Sequence, residues 1–509
     1  MTDFNWTQLQ NGSDIRGVAL KGIVNEPVNL TAERVTLLGK AFGTWLSQQL
    51  DQPTDRLIVA VGRDSRLSGE ALSAAVTTGL TSLGIQVYDV AIASTPAMFM
   101  STITEGFDCD GAIMLTASHL PFNRNGLKFF TKKGGLDKPD IKAILALAAA
   151  NEFEAIATPG NVTERDLMAV YAEQLVKTIR EGVNAKTNFE QPLKGLKIVV
   201  DAGNGSGGFY VDRVLQPLGA DTTGSQFLEP DGMFPNHIPN PENETAMAAI
   251  SAAVTANKAD FGIIFDTDVD RGAAVDPSGK ELNRNRLIAL MSVVVLREHP
   301  GSTIVTDSIT SDGLATFIEQ DLGGVHFRYR RGYKNVINQA IALNESGEES
   351  WLAIETSGHG AMKENHFLDD GAYLITKLLV EVAKLHEQGK TITDLIATLQ
   401  EPVESEEFRF KITESDFKTY GLGVIEKLKD FAAQQENWQI VPKNREGIRV
   451  SCKSSGQDGW FLLRLSLHDP VMPLNVESNV KGGVEKINSQ LLEFLQKYED
   501  LTIGEFGKV

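Results

Sequence analysis

Short β-branched apolar runs alternate along the chain with longer stretches whose apolar residues recur at helical spacing. Leu57-Ile58-Val59-Ala60-Val61 ends at Gly62 and precedes a small-residue stretch from Ser68 to Gly84, the order of strand, loop and helix in an α/β layer. Gly111 to Leu115 predicts another strand. Leu196 to Val200 opens a second unit after a polar, charge-rich stretch over 185–194, and glycines and an Ala-rich helix over Thr245 to Lys258 follow it. The strand predicted at Phe261 to Phe265 runs straight into carboxylates. Leu287 to Leu296, apolar except for Ser292 and bounded by Arg286 and Arg297, predicts a buried helix, since a membrane span needs roughly 20 residues. Strands at Thr303 to Thr306 and Trp351 to Ile354 complete three successive α/β units.

From about Glu401 the pattern changes. Phe408 to Ile412 and Phe461 to Leu465 predict half-buried strands separated by a helix over Phe417 to Gln435. A terminal helix is predicted over Val484 to Leu501 from Val484, Ile487, Leu491, Leu492 and Leu495. The expected organisation is α/β, three similar mixed α/β domains at 1–160, 161–283 and 284–400, then an α+β domain at 401–509. The 509 residues agree with this at about 150 residues per domain.

Charge narrows the function. Lys plus Arg number 48 against 67 Asp plus Glu, a formal charge of −19, which repels nucleic acid and anionic membrane over most of the exterior. The two cysteines, Cys109 and Cys452, have neither partner spacing nor histidine neighbours, so a reducing compartment is expected. Met1-Thr2-Asp3-Phe4-Asn5-Trp6 has no basic and apolar regions of a secretory signal, and a cytoplasmic location is the expectation.

Four polar clusters follow predicted strands. In Asp266-Thr267-Asp268-Val269-Asp270-Arg271-Gly272, period-2 spacing would put three carboxylates on one side of an extended segment, where repulsion is costly unless a cation sits among them. Hard oxygen donors in this number suit Mg²⁺. An EF-hand needs Gly at position 6 and Glu at position 12, and Arg271 and Pro277 stand there instead. Thr116-Ala117-Ser118-His119-Leu120-Pro121, with Lys128 ten residues beyond the serine, offers a nucleophile or phosphorylation site; a plain loop serine is the competing interpretation. Glu355-Thr356-Ser357-Gly358-His359 suits hydrogen bonding to a polyol, although a capped turn is equally compatible. In Arg464-Leu465-Ser466, a guanidinium and a hydroxyl could clamp phosphate. Gly203-Asn204-Gly205-Ser206-Gly207-Gly208 matches a dinucleotide-binding fingerprint, with Asp221 near the ribose position, but Asp201-Ala202 intervenes after the strand and the other clusters stay unexplained.

Taken in order with Ser13-Asp14-Ile15-Arg16-Gly17, these clusters resemble the α-D-phosphohexomutase superfamily, most closely its phosphomannomutase/phosphoglucomutase branch, from residue 13 to about 478. Gly332-Tyr333-Lys334 and Asp369-Asp370-Gly371 add secondary matches. The resemblance implies four domains around a central cleft, the last similar to the TATA-box-binding-protein fold. It implies interchange of hexose 1-phosphate and 6-phosphate, of glucose or mannose, through phosphorylated Ser118 and a hexose 1,6-bisphosphate that also activates the enzyme. Mg²⁺ would be held by Ser118, Asp266, Asp268 and Asp270, with Arg271 beside it. Lys128, preferred, or His119 would serve as base, the amine being tuned down by nearby cations. Glu355 and Ser357 would bind sugar hydroxyls, Arg464 and Ser466 phosphate, and Arg16, Lys334 and His359 would make lesser contacts. The family's phosphate loop reads Arg-x-Ser-Gly-Thr-Glu-Pro, whereas Leu467, His468 and Asp469 precede Pro470 here. A phosphoglucosamine mutase and a non-catalytic sugar-phosphate-binding homologue are the alternatives.

Overall fold

A computed structural model describes residues 4–154, 158–454, 456–466, 469–504 and 506. The chain forms two compact units, residues 1–283 with 357–394, and residues 284–356 with 395–509. Residues 357–394, assigned from the sequence to the third domain, thus cluster with the first unit.

The first unit holds a sheet in which Asp14–Val18 pairs antiparallel with Arg124–Thr131, and Arg124–Thr131 with Gly111–Leu115. Beyond them Ile58–Arg63, Gln86–Ile92 and Val162–Glu164 run parallel. Gly111–Leu115 is buried at every position, as a strand covered on both faces requires. Its core joins Val59, Val61 and Ile113 to Phe42 and Leu46 of helix Ala32–Leu50, Val76 and Leu80 of helix Gly69–Thr81, and Ile141 and Leu145 of helix Lys138–Ala150.

A second sheet of the same unit pairs Ile198–Asp201 parallel with Phe261–Phe265, which turns back antiparallel into Gly272–Val275. Helix Glu244–Asn257, predicted within a residue at each end, covers it with Met247, Ile250 and Val254. Helix Gly371–His386 is tied to this unit by two buried hydroxyls: Tyr171 donates to Asp370 (2.7 Å) and Tyr210 bonds Thr376 (2.8 Å).

In the second unit, Thr303–Thr306 lies between parallel neighbours Val325–Arg328 and Ser350–Ile354. The apolar run is the buried centre of helix Arg284–Glu298, with every residue from Leu287 to Leu296 inside. The C-terminal portion is an antiparallel sheet in the order Trp438–Ile440, Ile448–Cys452, Gly459–Leu463, Val471–Ser478, Glu404–Ile412 and Leu501–Thr502. Helices Phe417–Ala432 and Gly483–Leu495 cover one face. The last helix ends six residues earlier than its predicted limit at Leu501. Leu501 is out of phase with the apolar stripe and reaches the core as a strand residue paired with Ile412. Among the described residues no helix is long and apolar enough to cross a membrane.

Candidate active site

Ser118 stands just beyond the buried strand Gly111–Leu115, where the chain turns sharply. Its φ of +49° lies in the left-handed region, unusual for a residue with a side chain. Two devices hold it there. The Ser118 N–H donates to Thr116 Oγ1 (2.9 Å), and Thr116 donates to buried Asp64 (2.7 Å). The guanidinium of Arg66, 2% exposed, donates to the carbonyls of Ser118, Leu120 (2.7 Å), Pro121 (2.9 Å) and Arg124 (3.0 Å), closing the whole turn around one cation. Asp64 and Arg66 escaped the sequence reading; the only hint was a charged triplet, Asp64-Ser65-Arg66, at the end of a strand.

The three aspartates do not lie on an extended segment. They occupy the tight connection between the antiparallel strands Phe261–Phe265 and Gly272–Val275, with buried Val269 at φ +67°. A β-branched residue in that region is an outlier that the surroundings must impose. The turn converges the carboxylates, so that one oxygen from each of Asp266, Asp268 and Asp270 lies within 4.8 Å of the others. Ser118 Oγ donates to Asp266 (3.0 Å) and accepts from Arg271 Nη2 (2.7 Å). Serine, aspartates and arginine therefore meet although the chain separates Ser118 from Asp266 by 148 residues.

Lys128 reaches the same place from strand Arg124–Thr131, donating to Asp268 (3.0 Å) and Asp270 (2.5 Å). Burial alone would favour the neutral amine, but the two carboxylates outweigh it and hold Lys128 well above the usual lysine range. The expected shift was downward, from nearby cations; beside these two carboxylates it runs the other way. Burial and the neighbouring Arg271 and Arg16 pull His119 down to about 3, and its Nδ1 lies 2.7 Å from Arg271 Nη2 as an acceptor. Asp266 is pushed up by burial and by repulsion from Asp270, against the pull of Arg271. Thr95, which the sequence did not single out, donates to Asp268 (2.5 Å) from the start of helix Thr95–Met100.

Arg16 donates to Thr116 O and Asp14 (2.9 Å each) and stands opposite Gly126, two residues from Lys128. His359 bonds Asp369 through Nδ1 (2.5 Å), and Asp369 and Asp270 raise it to about 9 against the effect of burial. It also bridges to Arg271 through the backbone. Ser357 is buried with a hydroxyl that has no hydrogen-bond partner among the described residues. Asp268 Oδ1 and Asp270 Oδ1 are likewise buried without a donor. Orphaned carboxylate oxygens beside a hydroxyl are what a hard divalent cation satisfies, so the donor set fits Mg²⁺.

The same topology recurs in comparisons with known proteins. Residues 7–155, 170–279 and 283–403 match, in order, the alpha/beta/alpha domains I, II and III of phosphoglucomutase/phosphomannomutase. The chain belongs to the phosphoglucomutase/phosphomannomutase family. It is 30% identical to a phosphomannomutase/phosphoglucomutase of Pseudomonas aeruginosa over 94% of each chain, and 29% identical to a phosphoglucomutase of Neisseria meningitidis over 96% of each. A solved phosphoglucomutase/phosphomannomutase family protein from Burkholderia thailandensis superposes with a TM-score of 0.76 at 27% identity, covering 96% of both chains.

In this family member the glycine run over 203–208 is packing. A Cβ on Gly205 would lie 2.6 Å from the Thr267 carbonyl oxygen, inside the aspartate turn, and one on Gly203 2.8 Å from Pro239. The glycines let the turn be approached closely, which accounts for them without a dinucleotide.

The remaining predicted residues lie in the second unit. Glu355, at the end of strand Ser350–Ile354, accepts from the Gly332 N–H (2.5 Å), so the carboxylate braces the loop that leads into helix Tyr333–Glu345 and Lys334. Arg464 leaves strand Gly459–Leu463 with its N–H bonded to Pro473 O (3.1 Å), and its buried Nε has no hydrogen-bond partner among the described residues. Burial lowers Arg464, partly offset by Glu446. Ser466 donates its N–H to Val471 O (2.9 Å), and its Oγ accepts from Asp469 N (3.4 Å). Leu467 and His468 lie outside the described residues.

Proposed function

We propose that the protein is a magnesium-dependent phosphohexomutase that interconverts the 1- and 6-phosphates of glucose, mannose or both, in the cytoplasm, with its four domains divided at 160, 283 and 400. One observation carries this reading: Ser118 Oγ sits at the shared focus of Arg271 (2.7 Å) and Asp266 (3.0 Å). A phosphoryl group on that oxygen would have a guanidinium to take up its charge and carboxylates beside it to hold a cation. Phosphoryl transfer is mostly positioning and charge stabilisation, and this arrangement supplies both.

In the forward half-reaction a free hydroxyl of the hexose monophosphate attacks the phosphorus of phosphoserine 118. The Ser118 O–P bond breaks, a sugar O–P bond forms, and the proton lost by the sugar hydroxyl is regained at Ser118 Oγ, which leaves as the serine hydroxyl. The second half-reaction returns the other phosphoryl group to Ser118 with the opposite proton movement. Ser118, Asp266, Asp268 and Asp270 would hold Mg²⁺, which when bound neutralises charge on the transferring group. Arg271 donates to the oxygen that changes charge, and Arg66 keeps the loop from yielding as it does so. Lys128 serves as counter-charge to Asp268 and Asp270, and His119 as an acceptor that orients Arg271. Glu355, Ser357, His359, Lys334 and Arg16 are proposed to contact sugar and phosphate, and Arg464 and Ser466 to bind phosphate.

Two measurements test the reading. Intact mass after incubation with a hexose 1,6-bisphosphate, the proposed activator, is expected to show one phosphoryl group, lost in Ser118→Ala. Protein that never carries phosphate on Ser118 would overturn the mechanism. Coupled assays on the 1-phosphates of glucose, mannose and glucosamine are expected to favour one of the first two; dominance of the amino sugar would replace the substrate assignment.

A further inference from the structure

Arg271 is the group on which the proposed transfer most depends, and its guanidinium is held from three sides. Nε and Nη2 donate to Asp266 Oδ2 (3.1 and 2.9 Å), and Nη2 also reaches Ser118 Oγ (2.7 Å). The third side is Nη1, which donates to Asn240 Oδ1 (3.0 Å). The same Oδ1 accepts from the Glu242 N–H (3.0 Å), which fixes the amide with its oxygen toward the arginine.

Asn240 is itself placed by an unusual loop. Phe234-Pro235-Asn236-His237-Ile238-Pro239-Asn240-Pro241 carries three prolines that restrict the backbone on both sides of Asn240. Its anchor is His237, whose side chain is 1% exposed. One ring nitrogen lies 3.0 Å from Asp201 Oδ2 and the other 3.0 Å from Ile238 O. Both partners are acceptors, so the ring carries two protons; burial opposes this charge and Asp201 overcomes it, raising His237. Asp201 is fixed in turn by Gln226 (2.8 Å) and the Gly203 N–H (2.9 Å). After the loop, the Asn243 N–H returns to Asn240 O (2.9 Å), and Asn243 caps helix Glu244–Asn257 through Ala246 N (3.0 Å).

We propose that Asn240 is a positioning residue for the proposed phosphoryl transfer, acting through Arg271: it fixes the guanidinium in the plane that aims Nη2 at Ser118 Oγ, and the Asp201–His237 pair locks the loop that carries it. This rests on the mutase reading. It assigns a task to a proline-rich loop that holds none of the predicted site residues. Without Asn240 the guanidinium would be held along its Nε–Nη2 edge alone, by Asp266 and His119 Nδ1, and could pivot about that edge; a carboxylate that also faces a cation is a poor anchor for it.

The test uses full-length protein with Mg²⁺ and a hexose 1-phosphate. Asn240→Ala is expected to lower kcat about 10- to 100-fold, the weight of one hydrogen bond to a charged group, with KM changed less than about twofold. Asn240→Asp, which keeps the acceptor, is expected to recover most of that loss. In an Arg271→Ala background, Asn240→Ala is expected to cost less than about twofold more; an equal cost in both backgrounds would overturn the proposal. A crystal structure of Asn240→Ala supplies the decisive second arm: the Arg271 guanidinium is expected to have left Ser118 Oγ, and a guanidinium unmoved would overturn the proposal whatever the kinetics. Wild-type protein that turns over no hexose phosphate would sink the mutase reading, and the crystallographic arm would still decide whether Asn240 holds Arg271.

Discussion

Around Ser118 in the first unit the charged side chains are tied to one another or to the backbone, and the oxygens left over, Asp268 Oδ1 and Asp270 Oδ1, belong to the carboxylates proposed to hold the cation. Lys128 spans two aspartates, Arg271 spans an aspartate and the serine, and Arg66 is wrapped by the loop it supports. Around Arg464 in the second unit the arrangement is looser. Among the described residues Arg464 has a buried Nε without a hydrogen-bond partner, and the contact from Asp469 N to Ser466 Oγ is long, 3.4 Å. The difference follows from the two tasks. Transfer of a phosphoryl group needs charges fixed before the reaction begins, whereas a phosphate anchor needs donors that are still available when the ligand arrives. A cluster whose charges are already paired marks the chemistry, and the oxygens and donors left over in either cluster mark where a cation or ligand is to bind.

The largest expected effect comes from the centre of the paired cluster. Ser118→Ala should reduce turnover by at least about 10⁴-fold while the melting temperature stays near wild type, because the hydroxyl is the proposed phosphoryl carrier and supports no packing. Substantial residual turnover would remove Ser118 from the mechanism. Asp268→Asn should lower kcat by about 100-fold and flatten the Mg²⁺ dependence, since it removes one of the two carboxylates on Lys128 and one of the three proposed for the cation. A variant with unchanged metal response would separate the aspartates from the metal.

Arg464→Ala tests the other region and should act on binding: KM for the sugar phosphate is expected to rise about 10- to 100-fold, with a smaller change in kcat. A pure kcat effect would break the comparison, because it would make Arg464 part of the chemistry. Also in the second unit, burial pushes Glu477 from 4.5 up to about 7, against the pull of Arg449 and the hydrogen bond from Trp460 (2.9 Å). Because the folded carboxyl is the weaker acid, the folded state takes up a proton between those values. Its contribution is present below about pH 4.5 and lost as pH rises through 7. Trp460 fluorescence should titrate near pH 7 and lose that transition in Glu477→Gln. The smallest effect is on the two thiols. Cys109 and Cys452 are buried and each is pushed up to about 12 by burial, so alkylation at pH 8 should be negligible until the protein unfolds. Rapid modification of one would show that its unit opens more readily than the other.

Much of this was legible along the chain. Strands at Gly111–Leu115, Phe261–Phe265 and Thr303–Thr306 coincide with their predicted limits, because continuous apolar runs ending in polar clusters leave little freedom. The aspartate cluster was legible as a unit, yet its geometry was not: period-2 reasoning assumed an extended segment, and the residues instead turn at Val269. The protonation of Lys128 was out of reach because its partners lie 140 and 142 residues away. Arg66, Thr95 and Asn240 were missed for the same reason. Each is an ordinary residue in its own neighbourhood and becomes significant only through a distant partner.

The sequence by itself determined where the strands and helices lie, which polar clusters follow them, and the family to which their order points, since local periodicity and spacing are properties of neighbouring residues. The tertiary structure alone decided which clusters meet, which carboxylates hold Lys128 charged, and why the glycines near 205 are there, because those outcomes depend on burial and on contacts between residues far apart in the chain.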